Sequence, residues 1–356
     1  MIRRPEFRPP PLTVGALIFA TLLGGCGVVG EPLPPLLEIP APISDLSVVQ
    51  VGARLRLTWS PPSLTTEGTR VRQLDRMEVR GAFLSSDTPI TNFAEQSKLL
   101  ATIQAKTTSG QQEPITYEIP LTREQLRQKA SFAVKAINRK GKDAGFSNVS
   151  SLVIMDLPEP PVDLQATLTE KVIQLSWKPA PLSGFGGPAP PADGYRIYRA
   201  EEGSQQPVQE IGASVSPSYQ DTSFQFGHNY EYSIRAFVGT GESAALTPSS
   251  SPVELAAIDR FPPAAPRNLR AIPVPGAVEM AWSPNPEADL AGYNVYRNAA
   301  GGPGSPFSKL NPELLPIVIF RDANVTAGTR YTYRVTAVDK SGNESAPSED
   351  TSVTAE

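Results

Sequence analysis

Three segments of this chain carry the same pattern, and a chain that repeats itself over about a hundred residues must fold as a row of like units. "VIQLSW" at 172–177 matches "AVEMAW" at 277–282 and "ARLRLTW" at 53–59. "DGYRIYRA" from Asp193 matches "AGYNVYRN" from Ala291, and "HNYEYSIRAFV" from His228 matches "TRYTYRVTAVD" from Thr329. A diverged first copy places "DRMEVRG" from Asp75 and "KASFAVKAIN" from Lys129 at the equivalent points. Each segment alternates apolar and polar with period two, so its apolar residues share one face of a strand. Leu55, Leu57 and Trp59 point inward, as do Ile173, Leu175 and Trp177, and Val278, Met280 and Trp282. In the later strand Tyr230, Tyr232, Ile234 and Ala236 share a face, as do Tyr331, Tyr333, Val335 and Ala337. No helical period runs longer than a few residues. Together with 38 Pro and 27 Gly, this reads as an all-β chain of tandem antiparallel sandwiches.

The order of an early Trp strand, a G-Y-x-[VI]-Y-R strand, a Y-x-[YV]-x-V-x-A strand and a hairpin such as "AVDKSGNESAPSE" from Ala337 resembles fibronectin type III domains. That resemblance implies immunoglobulin-like β-sandwiches in which Trp59, Trp177 and Trp282 fill the cores. It also implies tyrosine corners at Tyr230 and Tyr331, whose hydroxyls return to the backbone. The first copy departs from it, with Ala130 at the corner position and Met77 at the position of Tyr195. The expected modules are residues 40–157, 158–258 and 259–356. Pro-rich joints, "PEPP" from Pro158 and "PPAAP" from Pro262, are expected to stiffen the string and keep strands of neighbouring modules from fusing.

Ahead of the modules, Arg3, Arg4 and Arg8 precede the apolar run "LTVGALIFATLL" at 12–23, too short to span a bilayer. "LLGGC" at 22–26 resembles the lipobox of bacterial lipoproteins. The resemblance implies a signal peptide over residues 1–25, a diacylglyceryl group on Cys26, and a Pro-rich tether over 26–39. Two or more acyl chains hold a protein on a membrane where one does not. A conventional signal peptide with Cys26 incidental, or an uncleaved anchor, remains the alternative. Gly27, in place of the Asp that marks inner-membrane retention, leans the reading toward the outer membrane of the cell envelope.

Chemistry is sparse. His228, the lone histidine, sits in a turn after Phe226 and Gly227 and reads as a solvated loop residue. No carboxylate pair has the spacing for glycoside hydrolysis, no Gly-x-Ser-x-Gly elbow appears, and with Cys26 the lone cysteine no His or Cys cluster could hold zinc. "GTGESA" from Gly239 aligns with the hairpin turn at Asp339 and reads as a turn, not a nucleotide loop. We therefore expect no enzyme activity, no cofactor and no metal. Candidate binding residues are Tyr198 and Tyr296, which alternate outward at repeated positions, and Phe185 at the tip of the Pro/Gly-rich loop at 179–194. For the two tyrosines, cross-strand packing is the competing account. Residues 40–157 hold 15 Lys and Arg against 11 Asp and Glu, residues 158–258 hold 5 against 11, and residues 259–356 hold 9 against 11. No field suits nucleic acid, but a basic first module is favoured beside an anionic membrane. The expected function is a lipid-anchored, non-catalytic spacer or interaction arm with a protein partner in the envelope. The alternative is a carbohydrate-binding accessory protein, since such modules often accompany secreted polysaccharide-degrading enzymes in bacteria.

Overall fold

The computed structural model describes residues 38–72, 74–105, 113–204, 207–241, 244–299 and 306–356. Cys26, the signal run and most of the tether lie outside the described residues. Module 1 holds β1 (Ser47–Val51), β2 (Arg54–Trp59), β3 (Leu74–Ser85), β4 (Lys98–Gln104), β5 (Ile115–Pro120), β6 (Gln128–Asn138) and β7 (Ser150–Val153). Module 2 holds β8 (Val162–Leu168), β9 (Ile173–Lys178), β10 (Gly194–Glu201), β11 (Gln209–Ser214), β12 (Ser218–Asp221), β13 (Asn229–Val238), β14 (Ala245–Leu246) and β15 (Val253–Ala256). Module 3 holds β16 (Arg267–Val274), β17 (Ala277–Ser283), β18 (Leu290–Ala299), β19 (Ser308–Lys309), β20 (Ile319–Asp322), β21 (Arg330–Asp339) and β22 (Thr351–Thr354).

Each module is a sandwich of a three-stranded and a four-stranded antiparallel sheet. The smaller sheets run β1-β2-β5, β8-β9-β12 and β16-β17-β20, and the larger run β4-β3-β6-β7, β11-β10-β13-β15 and β19-β18-β21-β22. This is the fibronectin type III-like arrangement, and the alternation read from sequence decides which side chains meet between the sheets. Trp59, Trp177 and Trp282 are all buried in separate clusters, one per module. Trp177 and Trp282 meet Tyr195 and Tyr293 edge-on at 5.2 and 5.3 Å. In module 1 Met77 takes the tyrosine's place, and its Sδ accepts the Trp59 Nε1–H at 3.4 Å.

The tyrosine corners form as expected: the Tyr230 hydroxyl accepts the Gln225 N–H at 3.0 Å, and the Tyr331 hydroxyl accepts the Thr326 N–H at 2.9 Å. The joints are unequal, and the first corrects an expectation. Between modules 1 and 2 the strands do fuse: β14 pairs with β13 and also, in parallel, with β1 through Val51 and Leu246. The Gly52 N–H donates to the Leu246 carbonyl at 2.8 Å. Proline at the joint does not prevent this, because the pairing strands lie away from "PEPP". Between modules 2 and 3 the described strands make no such pair.

Candidate functional site

Phe185 is not an open loop tip. It is half-buried against the module 1 core, which corrects its reading as a candidate ligand surface. The loop is aimed there by its own backbone. Ser183 bridges Pro158, the Gly184 N–H donates to the Leu157 carbonyl at 2.9 Å, and Gly186 takes a φ of +83° that favours glycine. Within module 1 the Gln50 amide grips residue 155, just ahead of the joint, twice: Nε2 donates to the Met155 carbonyl at 2.7 Å and Oε1 accepts the Met155 N–H at 2.9 Å. Gln50 is itself buried, so leaving its amide unbonded would be costly. An aromatic plug and a shared strand edge thus clamp modules 1 and 2, while the Gln50 amide pins the end of module 1 from which the joint leaves.

Tyr198 and Tyr296 do lie at repeated positions, each half-buried on its sheet face. Arg235 sits over the Tyr198 ring at 5.2 Å, and the Tyr198 hydroxyl donates to Glu210 at 3.3 Å. Burial, then Glu210, raises the Tyr198 phenol above its ordinary range. The Tyr296 hydroxyl donates to Glu344 at 2.7 Å, and burial followed by that bond raises its phenol too. Arg235 already covers one face of the Tyr198 ring, which leaves that ring less free to stack on a sugar.

Sequence reasoning missed a second repeated cluster. In module 2 Arg199 lies over the Tyr230 ring at 4.9 Å and donates to Asp221 at 2.6 Å, while the Tyr232 hydroxyl donates to the same oxygen at 2.8 Å. Module 3 repeats it with Arg297 over Tyr331 at 5.1 Å, Asp322 at 2.8 Å from Arg297, and Tyr333 donating at 3.0 Å. Burial opposes ionisation of Asp221, but bonds from Ser223, Tyr232 and Arg199 outweigh it and hold the carboxyl below its usual range. Burial and the neighbouring Asp push the phenols of Tyr232 and Tyr333 upward. These groups are satisfied by one another, which suits a lock between the two sheets and not a reacting centre. The signal was available in the Arg after each "Y-x-[IV]-Y" and the Asp of "YQD" and "FRD", but only pairing across sheets reveals it.

Among the described residues one group of carboxylates could hold a cation: Asp259, Asp289 and Asp339, whose oxygens lie within 4.8 Å of one another at the joint of modules 2 and 3. Asp339 already accepts the Asn343 N–H at 2.8 Å and Asp259 the Ser341 hydroxyl at 2.9 Å, so the cluster also pins the joint to module 3. His228 bonds Glu201 at 2.6 Å at the surface.

The outer face of the small sheet in module 3 is aliphatic. Ile272, Ile317 and Ile319 are 60%, 54% and 57% exposed, and with Arg270, Glu279 and Arg321 they border a groove of about 570 Å³. Register places Thr167, Ser216 and Ser218 at the same points of module 2. An exposed aliphatic cluster is the informative kind of surface.

No family model matches the chain. Among curated proteins it is similar to exoglucanase B of Cellulomonas fimi, 31% identical over 45% of this chain and 14% of that protein. It is also similar to protein sidekick-1 of Mus musculus, 27% identical over 88% of this chain and 15% of that protein. An amylopullulanase of Thermoanaerobacterium saccharolyticum is 38% identical over 26% of the chain and 7% of its own length. The chain thus spans only a small fraction of these relatives. Among solved structures, the chicken CNTN1 FN1-FN3 domains overlap 89% of this chain and 99% of theirs at 16% identity, with a TM-score of 0.26.

Proposed function

We propose that this chain is a lipid-anchored, non-catalytic arm of the bacterial cell envelope, held at Cys26 and presenting its third module to a protein partner. The observation that carries the arm is the clamp between modules 1 and 2, made by Phe185 and the β1–β14 edge. A clamp of this kind fixes one module on the next, which a spacer needs and a loosely tethered binding domain does not. The aliphatic face of module 3, on the module farthest along the chain from Cys26, is the surface such an arm offers. The anchor rests on the lipobox resemblance of "LLGGC".

In detergent phase separation the native protein should enter the detergent phase and Cys26→Ser should not. Equal partitioning of the two would end the anchor. Cross-linking in native membranes should capture a protein through module 3, and Ile319→Lys should abolish the adduct. Carbohydrate binding is the second reading, favoured by similarity to an exoglucanase and to amylopullulanases. It expects saturable binding to a glucan that Tyr198→Ala with Tyr296→Ala removes.

A further inference from the structure

The loop of module 2 that docks on module 1 has a twin in module 1. Thr65 bridges Pro40 as Ser183 bridges Pro158, and the Thr66 N–H donates to the Ile39 carbonyl as the Gly184 N–H does to Leu157. The Ala41 N–H donates to Leu64 as the Glu159 N–H does to Leu182. With the two loops matched bond for bond, this end of a module is the end turned toward whatever precedes it in the chain. In module 2 the tip carries Phe185, and what precedes it is module 1. In module 1 the same tip position carries Glu67, so no aromatic plug is offered.

What this end offers instead is charge. The turn at 138–142 lies beside the loop, because Leu74, which closes the loop, pairs with Asn138, which opens the turn. Asn138 also donates to the Glu38 carbonyl at 3.2 Å, so the incoming chain passes between the two. Arg70 and Arg72 on the loop, and Arg139, Lys140 and Lys142 on the turn, are all exposed. Among the described residues none of these five makes an ion pair, and the nearby acids are Glu38 and Glu67. Asp75 and Asp143 are taken by Arg76 and Lys135. Module 2 carries Gly186, Pro188 and Pro190 on the matching loop and Gly239 to Gly241 at the matching turn, without a cation. The concentration of cations is peculiar to the module nearest Cys26, twelve residues before Glu38.

The geometry points to a second membrane contact: the N-terminal end of module 1 sits on anionic lipid headgroups, with Arg70, Arg72, Arg139, Lys140 and Lys142 facing them. The inference rests on the anchor reading for its placement. Twelve residues reach at most roughly 40 Å when extended, which permits contact. Charges held within a Debye length of about 10 Å at 0.1 M salt would draw the module down. The arm would then leave the membrane from a seated base and not from a swinging tether.

Full-length protein matured in its host would be mixed with vesicles of phosphatidylcholine alone, or of phosphatidylcholine with phosphatidylglycerol, floated, and digested briefly with trypsin. On anionic vesicles cleavage after the five cations should slow by about fivefold or more, and about 0.5 M salt should restore it. Cleavage after Lys171, in an exposed turn of module 2, should not change. Lys140→Glu with Lys142→Glu should lose the protection and still float. Flotation on both vesicles with equal cleavage overturns the seating and leaves the anchor intact. Flotation on anionic vesicles alone upholds the seating and removes the anchor, and flotation on neither removes both.

Discussion

Modules 2 and 3 join their two sheets with a charged cluster, whereas module 1 joins the same two sheets with hydrocarbon. Register makes the comparison residue by residue. Arg199 pairs with Tyr232 across β10 and β13, and Arg297 with Tyr333 across β18 and β21; the same pair in module 1 is Gly81 and Phe132. Asp221 pairs with Ile173 and Asp322 with Val278; in module 1 Ile119 pairs with Leu55. The corner tyrosines Tyr230 and Tyr331 become Ala130. All four positions differ together, and the physics says why. A buried Asp without its Arg, or a Tyr hydroxyl without its Asp, costs more than having neither. Either the whole cluster is present or none of it is. Gly81 completes the exchange, because a Cβ there would stand 2.6 Å from Leu100 and 2.8 Å from the Phe132 ring.

The largest expected effects test whether the shared Trp does the same work in both kinds of core. Trp282→Ala should cost about 3–5 kcal/mol, and Trp59→Ala a similar amount, by thermal or urea unfolding. Trp282→Phe should cost less than Trp59→Phe. The buried Trp282 Nε1 has no partner, while the Trp59 Nε1 is bonded to Met77. The joints predict a further asymmetry, since Trp177→Ala should destabilise module 1 along with module 2 through the clamp, and Trp282→Ala should leave both nearly unchanged. Equal isolation of all three modules would break that half of the comparison.

Next in size, Asp221→Ile alone should cost about 2–4 kcal/mol by stranding Arg199 and Tyr232. Adding Arg199→Gly and Tyr232→Phe, which rebuilds the module 1 pattern, should recover much of the loss, and a purely additive triple would refute the all-or-none account. Acid should show the same cluster. Because the folded value of the Asp221 carboxyl is depressed, its contribution is present above the unfolded value, about 3.9, and is lost as pH falls through the folded value. Module 2 should therefore weaken below about pH 4 by a step that Asp221→Asn lacks.

Gly81→Ala should cost about 1–3 kcal/mol by overpacking against Phe132 and Leu100. The paired substitution Gly81→Ala with Phe132→Ala should be less than additive in the same unfolding assay. Smallest, Phe185→Ala should cost about 1–2 kcal/mol, since the ring is only half-buried. Its readout is the separation of one joint melting transition of modules 1 and 2 into two. A single unchanged transition would mean that the β1–β14 edge suffices without the plug.

Much of the fold was legible because a half-buried strand writes its burial into every second residue. The three buried Trp and the departures of module 1 at Ala130 and Met77 follow from alternation and repeat alignment, and the corners at Tyr230 and Tyr331 from the resemblance to fibronectin type III domains. The surfaces were less legible. Phe185 reads as an exposed tip in a loop of Pro and Gly, and nothing local says that module 1 waits beneath it. Tyr198 and Tyr296 read as outward, which they are, but Glu210, Arg235 and Glu344 come from other strands or turns and engage them.

What the sequence alone determined is therefore periodic: three sandwiches, their cores, and the charge each module carries. What the tertiary structure decided is relational: the Arg–Asp–Tyr clusters, the Phe185 plug, the Gln50–Met155 bonds, the fused edge at Val51 and Leu246, and the gathering of five cations beside Glu38. The first kind depends on neighbours a fixed number of residues apart. The second depends on groups separated by tens to a hundred residues, such as Gln50 and Met155 at a separation of 105, which only the closed chain brings within reach of a hydrogen bond.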